Sequence, residues 1–317
     1  MMADDRTMVE HAVANALQAD YCLVGEVRTV VRGVNWTLSV GPEGAPVAYV
    51  RLYRVSGRPD ADIEAELAVL DAVVASDRLD VARAIASRHK RFLTWLQLAN
   101  TEARPMAVFH VAAGEPIKER AEDLRAAGAA LAELHGQSRL AGLAPRRELA
   151  TGTEVDRTIG QVTDRWKGGR DKLAAAIADL RRQRADHVTG PVGFCHGDFR
   201  LANLHRMGER IVMFDFDDCG RGPQWLDLAT IGWWLELATG DEAAGLWQAF
   251  LAGYGQADTA ALRAGLRWLV AVQQLRSLRF LQDYCQLDHE TWSDVLGSAV
   301  DIAERAANGS LRFLGAV

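Results

Sequence analysis

One short region of the sequence brings together, at a defined spacing, residue types that could carry chemistry. His196-Gly197-Asp198 is followed five residues later by Asn203, and Asp215-Phe216-Asp217 begins twelve residues beyond Asn203. Aspartate carboxylates and asparagine carbonyls are oxygen ligands of the kind that Mg²⁺ prefers. A separate aspartate on a loop can accept the proton of a hydroxyl nucleophile. This division of roles is the one that phosphoryl transfer requires.

The elements around these residues predict that they converge. Two strand-like pieces, Val192–Cys195 and Arg210–Phe216, interrupt a part of the chain that otherwise has a helical pattern. The His-Gly-Asp motif follows the first piece, where a firmly held loop can project side chains into a cleft. Asn203 begins the first strand of a small hairpin and Asp215 ends its return strand. The hairpin should therefore bring the asparagine and the aspartate side by side.

At these residues the chain resembles the aminoglycoside phosphotransferase and choline kinase family, which has the protein-kinase fold. The resemblance is carried by the pattern His-x-Asp-x-x-x-x-Asn and by the Asp-Phe-x strand end that follows it. The continuation from Asp215 to Ala229, with its Asp-Phe-Asp-Asp, Gly-Pro and Asp-Leu groups, is similar to one branch of that family. This branch contains the type II homoserine kinases and the bacterial stress-response Ser/Thr kinases.

The resemblance implies a role for each residue of the motif. Asp198 would be the catalytic base beside the acceptor hydroxyl. Asn203 and Asp215 would bind the Mg²⁺ that bridges the phosphates of ATP, the co-substrate. Asp217, which stands where protein kinases have glycine, is a further candidate carboxylate for the metal site.

Two other residues of the region are implied to support the site. His196 would brace the catalytic loop, and Asp227 would hold that loop from below. A zinc or two-metal hydrolase would instead use His196, Asp198, His205 and Asp215. The sequence favours the first interpretation, since it contains no H-E-x-x-H helix.

The phosphate-binding cation is where the kinase pattern is incomplete. Kinases place a lysine on the third strand and pair it with a glutamate on the next helix. Residues 1–89 contain no lysine, and the third strand offers Arg51 instead, with Arg54 as the alternative. An arginine keeps the charge and can grip phosphate with two donors, although it is bulkier than lysine. Glu66 is the predicted helix partner, and Glu64 stays open as the alternative.

The remaining nucleotide contacts are assigned by position. The turn Gly33-Val34-Asn35 joins the first two strands, and its backbone N–H groups could approach phosphates. We therefore expect Gly33 and Asn35 in the nucleotide site. His110 and Val111 fall at the junction between the predicted lobes, where kinases bind adenine through the backbone of a hinge.

The resemblance implies an α+β fold of two lobes, a small β-rich N-terminal lobe and a larger, mainly helical C-terminal lobe. We expect the nucleotide-binding lobe to span residues 1–112 and the catalytic and acceptor-binding lobe residues 113–317. The pattern of the first part predicts a helix over 8–19, a helix from Asp60, and strands at Gly25–Val31, Trp36–Val40, Val47–Arg54, Phe92–Leu98 and Met106–Val111. Later segments have helical patterns, among them 242–254, 259–284 and 290–307.

Composition narrows the class of protein before any motif is considered. The chain has 317 residues, of which 49% are hydrophobic and 25% charged, with a net charge of -6. This excludes disordered and fibrous classes and gives no support to nucleic-acid binding. The longest apolar run, near Leu228–Leu235, is far too short for a membrane span, and no signal peptide is expected. Four scattered cysteines favour reduced thiols, so we expect a cytoplasmic protein without membrane or nucleic-acid partners.

The leading hypothesis is an ATP- and Mg²⁺-dependent phosphotransferase acting on a hydroxyl of a small molecule. One alternative is a bacterial Ser/Thr protein kinase of the stress-response type. Another is a non-catalytic nucleotide-binding pseudokinase, for which Arg51 is the warning sign. In this family the acceptor binds in the larger lobe, here within 139–190 and 225–300. The acids Glu236, Asp241, Glu242 and Asp283 are spread out, so the sequence indicates no dedicated pocket for a cationic acceptor and does not specify which acceptor is bound.

Overall fold

The N-terminal part of the chain forms an antiparallel sheet because its short segments alternate apolar and polar residues. The computed structural model describes residues 3–55, 58–98, 102–150, 152–162, 167–183 and 190–315. In chain order the strands are β1 Val27–Arg32, β2 Trp36–Val40, β3 Ala48–Leu52, β4 Leu79–Val81, β5 Ala84–Ile85, β6 Thr94–Leu96, β7 Arg104–His110, β8 Glu115–Pro116, β9 Val192–Cys195, β10 Leu204–Met207, β11 Arg210–Met213 and β12 Gly220–Pro223. The helices are α1 Ala3–Ala16, α2 Asp60–Ala72, α3 Ala121–His135, α4 Leu140–Leu143, α5 Gly152–Val162, α6 Lys167–Gln183, α7 Trp225–Ala238, α8 Ala243–Tyr254, α9 Ala260–Tyr284 and α10 His289–Asn308.

The first sheet has the order β1-β2-β3-β7-β5, and β6 also pairs with β7. Every second residue of β2 and β3 is buried, which is the pattern of strands with one face on a core. Helix α1 covers this face with Val9, Val13 and Leu17. The helix predicted over 8–19 therefore starts earlier, at Ala3, and it ends in a π-helical turn over Leu17–Tyr21.

A second sheet joins distant parts of the chain in the order β4-β11-β10-β8. Strand β4, from the N-terminal part, pairs in parallel with β11 of the predicted hairpin. The hairpin itself is formed by β10 and β11, with Leu204 opposite Met213. The predicted strand Arg210–Phe216 is thus shorter than expected, since it leaves the sheet after Met213.

The sequence patterns did not predict β4, β5, β8 and β12. The first three have only two or three residues each, too few for alternation to be visible. Strand β12 reads Gly-Arg-Gly-Pro, and glycine and proline are depleted in strands. It is extended because it pairs with β9, with Gly220 opposite Cys195.

The rest of the chain is mainly helical and packs around one large apolar cluster. Helix α3 lies against α8, α7 against α9, and α10 against α6 and α9. Within the described ranges, no helix is both long and apolar enough to cross a membrane. Strand β7 ends at His110 and α3 begins at Ala121, so the predicted lobe boundary near residue 112 falls between them and stays a prediction.

The contact between α3 and α8 depends on two glycines that let the helix backbones approach closely. A Cβ atom on Gly128 would collide with the Phe250 carbonyl oxygen, and one on Gly253 with the Arg125 carbonyl oxygen. Backbone atoms inside two packed helices cannot move aside without separating the helices. Glycine is therefore required at both positions.

We predict that Gly253→Ala destabilises the protein by about 2 kcal/mol or more, because overpacking pushes α3 away from α8. The matched control is Gly245→Ala, in the same helix at an exposed position with no heavy atom within 4 Å of the added Cβ. The free energy of unfolding of that variant should rise by about 0.5–1 kcal/mol, because alanine has a higher helix propensity than glycine. Urea unfolding of the two variants measures both changes. Equal stabilities would contradict the proposed close approach.

Candidate active site

The loop after β9 is held by one buried carboxylate. Asp227, in the first turn of α7, accepts hydrogen bonds from the backbone N–H groups of His196 at 2.7 Å and Gly197 at 2.8 Å. Gly197 has a φ of +84°, and a Cβ there would collide with the carbonyl oxygen of Asp218. The glycine of the His-Gly-Asp motif is therefore needed to bring this loop against the Asp217–Asp218 segment.

Asp227 is itself fixed by side chains from two other helices. The Nε2 atom of His135 lies 3.0 Å from its Oδ2, and the other ring nitrogen of His135 lies 2.9 Å from the Tyr254 hydroxyl. Burial alone would raise the pKa of Asp227, but the hydrogen bond and charge of His135 and the hydrogen bond from the Gly197 N–H hold that pKa below its ordinary value. Asp227 is therefore an ionised anchor for the loop.

His196 links the loop to the hairpin strand as a neutral ring. Its Nδ1 lies 3.3 Å from the backbone nitrogen of Asp198, and its Nε2 lies 3.1 Å from the carbonyl oxygen of Phe214. These partners make Nδ1 the acceptor and Nε2 the donor. Burial lowers the pKa of His196, which agrees with the neutral form. The ring also packs on Phe216 with a centroid distance of 4.4 Å.

The carboxylate of Asp198 lies at the end of this braced loop. Its Oδ2 accepts a hydrogen bond from Asn203 Nδ2 at 2.9 Å and lies 2.9 Å from Arg200 Nε. Burial, together with the charges of Asp218 and Asp215, raises the pKa of Asp198 to about 7, while Arg200 and Asn203 lower it. With 22% of its side chain exposed, the group can still be reached from the cleft. A carboxylate with this pKa can take up and release a proton near neutral pH.

The hairpin brings Asp215 next to Asn203, as the spacing predicted. The Phe214 N–H donates to the Asn203 carbonyl oxygen at 3.1 Å, directly beyond the last hairpin pair. Asp215 then takes a φ of +65°, which is unusual for a residue with a side chain and turns it out of the strand. Its Oδ1 lies 2.7 Å from an Arg51 guanidinium nitrogen. Burial would raise the pKa of Asp215, but the Arg51 cation keeps it below the ordinary value.

The oxygen atoms available at Asn203 and Asp215 fit Mg²⁺. Asn203 Nδ2 donates hydrogen bonds to the backbone and side-chain oxygens of Asp198, and no described residue donates to Asn203 Oδ1. Likewise, none of the described residues donates a hydrogen bond to Asp215 Oδ2. No group of three or more His, Cys, Asp or Glu among the described residues could hold a metal. Mg²⁺ commonly takes one or two protein oxygens and completes its shell with water and phosphate, and the oxygens of Asn203 and Asp215 are of that kind.

A cavity of about 320 Å³ opens beside this group, between the first sheet and the hairpin. Its wall includes Arg51, Asp215 and both predicted hinge residues, His110 and Val111. His205, the residue of the alternative zinc interpretation, also lines this cavity, with its Nδ1 3.1 Å from the Ala112 carbonyl oxygen. It is therefore part of the cavity wall.

The phosphate turn is arranged differently from the expectation. Gly33 donates its N–H to the Asn35 carbonyl oxygen at 3.2 Å, and a Cβ on Gly33 would meet nothing closer than 3.7 Å. The side chain of Asn35 instead faces the site, with its Nδ2 2.8 Å from Asp217 Oδ2. The nucleotide roles of Gly33 and Asn35 stay predictions.

The ion pair predicted between Arg51 and Glu66 is not formed. Glu66 is buried and faces the cavity, whereas Glu64 is exposed, but the Oε2 of Glu66 lies 2.6 Å from Arg58. Arg51 pairs with Asp215 instead. Burial raises the pKa of Glu66 to about 7 although Arg58 lowers it. Sequence reasoning missed Arg58, whose only signal is its place directly before the proline that opens α2.

Two more arginines outside the motif reach the loops of the site. Arg276 of α9 donates to the Gly197 carbonyl oxygen at 2.8 Å, and Arg147 donates to the Asp217 carbonyl oxygen. Their guanidinium groups lie 4.0 Å and 3.6 Å from the carboxylate of Asp218. The spacing pattern could not identify them, since they come from distant segments. Residues 151, 163–166 and 184–189 of the predicted acceptor region lie outside the described residues.

The loop-held Asp198, the neighbouring Asn203 and Asp215, and the cavity between a sheet and a hairpin are the arrangement expected of a phosphotransferase with a kinase-like fold. The chain belongs to the phosphotransferase enzyme family APH, whose model matches residues 35–267. The resemblance and the enzyme class predicted from the motifs are thereby confirmed.

Solved structures share this fold over nearly the whole chain. The microcompartment-associated aminopropanol kinase is 24% identical, with a TM-score of 0.76 over 96% of this chain and 99% of that one. An amicoumacin kinase solved with AMP-PNP and Ca²⁺ is 17% identical, with a TM-score of 0.70 over 98% and 97%. A choline/ethanolamine kinase family protein from Mesorhizobium loti is 16% identical, with a TM-score of 0.65 over 96% and 99%. These likenesses confirm the predicted α+β, kinase-like fold. No curated protein sequence matches the chain significantly.

We predict that Asp227→Asn destabilises the protein by about 3 kcal/mol, because the amide turns one acceptor of a buried, fully paired carboxylate into a donor. Urea unfolding measures the change. The matched control is Asp294→Asn, at an exposed position of α10, which should change stability by less than about 0.5 kcal/mol. An effect of Asp227→Asn no larger than that of the control would show that the loop does not depend on this carboxylate.

Proposed function

We propose that the protein transfers the γ-phosphoryl group of ATP to a hydroxyl group of a small molecule, with Mg²⁺ as cofactor. The observation that carries the proposal is the hydrogen bond between Asn203 and Asp198 together with the hairpin that places Asp215, which lines the 320 Å³ cavity, directly beyond the Asn203–Phe214 contact. Phosphoryl transfer needs positioning and charge stabilisation more than covalent chemistry by the protein. A rigid loop with one base and two metal-binding oxygens supplies both.

Asp198 is the proposed base. It would accept the proton of the acceptor hydroxyl as the oxygen attacks the phosphorus atom. A pKa of about 7 places it between two protonation states at neutral pH, which suits general base catalysis. Arg200 Nε and Asn203 Nδ2 orient its carboxylate, both at 2.9 Å from Oδ2.

Asn203 and Asp215 are the proposed metal ligands. Mg²⁺ bound there would offset the negative charge of the phosphate groups. The cavity wall near His110 and Val111 would take the adenine, and Arg51 would contact the phosphates. Arg51 and Asp215 form an ion pair at 2.7 Å. With nucleotide and metal bound, the phosphates would contact Arg51 and the metal would contact Asp215, so both charges would stay paired.

The acceptor is proposed to be a small hydroxylated molecule that is not a polycation. Among the predicted acids of the larger lobe, Glu236 is fully buried and paired with Arg305 and Arg312, and Asp283 lies 3.5 Å from Arg279. The neighbouring structures include kinases of aminopropanol and amicoumacin, which supports a small acceptor. The cytoplasmic location expected from the composition stays a prediction.

We predict that Mg-ATP raises the melting temperature, because a ligand that binds only the folded state stabilises it by about 2.7 kcal/mol at a hundredfold excess over Kd. Asp198→Asn should keep this stabilisation and lose turnover by at least about a hundredfold. Asp215→Ala should lose the part of the stabilisation that depends on Mg²⁺. Differential scanning fluorimetry with Mg-ATP and with ATP in EDTA separates these effects.

The acceptor is identified by an ADP-release assay with aminopropanol, choline, homoserine, other hydroxylated amino acids and an aminoglycoside. Turnover with one of these and none with the aminoglycoside supports the proposal. Nucleotide binding with turnover only on a protein acceptor would replace it with a protein kinase. Binding without any turnover would identify a pseudokinase, and full activity of Asp198→Asn would remove that residue from the base role.

A pH dependence follows from the surroundings of Asp198. A base works when deprotonated, so turnover should rise with pH and level off above the pKa of Asp198. Arg200→Gln removes a nearby cation that lowers this pKa, so the rising limb should move to higher pH by about one pH unit. Arg200→Lys keeps the charge and should leave the limb near its wild-type position. The same limb in Arg200→Gln and wild type would show that another group titrates.

A further inference from the structure

One carboxylate of the C-terminal part contacts three separate segments of the N-terminal part. Asp217 Oδ2 accepts a hydrogen bond from Asn35 Nδ2 in the β1–β2 turn at 2.8 Å. The same oxygen lies 3.5 Å from Arg51 Nη1 on β3 and 3.7 Å from Arg58 Nη1 before α2. The turn, the strand and the start of the helix therefore share one anionic partner across the cleft.

The orientation of Asn35 is fixed at both ends of its amide group. Its Oδ1 accepts a hydrogen bond from the Arg54 backbone N–H at 3.2 Å, so its Nδ2 must face Asp217. The turn is thereby held to β3 and to the C-terminal part at once. Only the contact to Asp217 crosses the cleft.

The partners of the cavity arginine are also found across the cleft. In kinases, a glutamate of the helix after the third strand orients the phosphate-binding lysine. Here that glutamate, Glu66, forms an ion pair with Arg58 at 2.6 Å and accepts a hydrogen bond from the Tyr53 hydroxyl at 3.3 Å. Arg51 is held instead by Asp215 at 2.7 Å and by Asp217. Since Asp215 is the proposed metal ligand, Asp217 is the partner left to orient Arg51 once the metal is bound.

We propose that Asp217 is a positioning residue, and not a metal ligand, that holds Arg51 and Asn35 toward the phosphates of the nucleotide. The proposal rests on the proposed function, because it assumes that the cavity binds a nucleotide. Its Oδ2 lies beside two guanidinium groups and accepts a hydrogen bond from an amide, so this oxygen is committed to the N-terminal part. A metal role would therefore fall to Oδ1 alone, and the Mg²⁺ titration below tests it.

A double-mutant cycle tests the proposal through nucleotide affinity. Asn35→Ala should weaken binding of Mg-AMP-PNP by about tenfold, and Asp217→Ala by at least as much, since both remove the same charge-assisted hydrogen bond and Asp217→Ala also removes the anion beside Arg51. The double variant should bind no more than about twofold weaker than the weaker single variant, because the shared contact is lost only once. Calorimetry gives the Kd values. Additive losses, or no loss in either single variant, would overturn the proposal.

The metal role is tested on the same proteins. The Mg²⁺ concentration that gives half of the AMP-PNP stabilisation should be the same in Asp217→Ala and wild type. A rise of about tenfold or more would overturn the proposal, because it would place Asp217 at the metal, as a ligand or in the shell around the ligands. Asp217→Asn, which keeps an acceptor for Asn35 but loses the charge facing Arg51, should show an intermediate loss of affinity.

A control variant separates this role from general contact across the cleft. Arg54 stacks on Tyr284 of α9 at 4.7 Å, a second contact between the two parts. Tyr284→Ala should leave the Kd of Mg-AMP-PNP within about twofold of wild type, and a loss as large as that of Asp217→Ala would overturn the proposal. If wild type fails to bind the nucleotide, the proposed function itself is wrong. If wild type binds and the cycle is additive, only the role of Asp217 is wrong.

Discussion

The arrangement of the site depends on the buried carboxylate of Asp227. It is fully inaccessible to solvent, and it accepts two backbone N–H groups of the catalytic loop and a ring nitrogen of His135. In such surroundings an unpaired charge would be very costly, so each of these partners is needed for the others to stay in place. The first turn of α7 adds the positive end of the helix dipole, which favours a carboxylate there. Through this one group the loop carrying Asp198 is fixed to α3, α7 and, by way of Tyr254, α8.

Around this anchor, the chemistry is built from a dense set of opposite charges. Asp198, Asp215, Asp217 and Asp218 belong to neighbouring loops of the site, so their like charges repel one another. Arg200 of the same loop offsets this repulsion, together with four arginines from distant segments, namely Arg51, Arg58, Arg147 and Arg276. Their balance differs from residue to residue. The ion pair with Arg51 keeps the pKa of Asp215 below its ordinary value, whereas burial raises the pKa of Asp198 to about 7. The same cluster thus holds one carboxylate that stays ionised and one that can exchange a proton near neutral pH, the two properties that the proposed function requires of Asp215 and Asp198.

The sequence was sufficient where position depends on local geometry. The convergence of Asn203 and Asp215 follows from a hairpin a few residues long, and the burial of Glu66 rather than Glu64 follows from the periodicity of α2. It was insufficient where position depends on distant partners. Strand β12 has a poor strand sequence and is extended because β9 lies beside it, and β4 is held by its parallel partner β11, which lies far along the chain. The pairing of Glu66 with Arg58 could not be predicted, since it is set by a contact in the tertiary structure and Arg58 lies in an irregular segment.

That pairing explains how an arginine can stand where kinases have lysine. A buried glutamate needs a cation beside it, and the compact Glu66 site is filled by Arg58, which is itself only 7% exposed. Arg51 is therefore free to extend across the cleft, and its planar guanidinium can contact two carboxylates at once, which an ammonium group does less well. The orientation of Arg51 then comes from the opposite side of the cleft. In the proposed function, nucleotide binding is therefore coupled to the contact between the two parts of the protein, whereas a lysine held by Glu66 would depend on the N-terminal part alone.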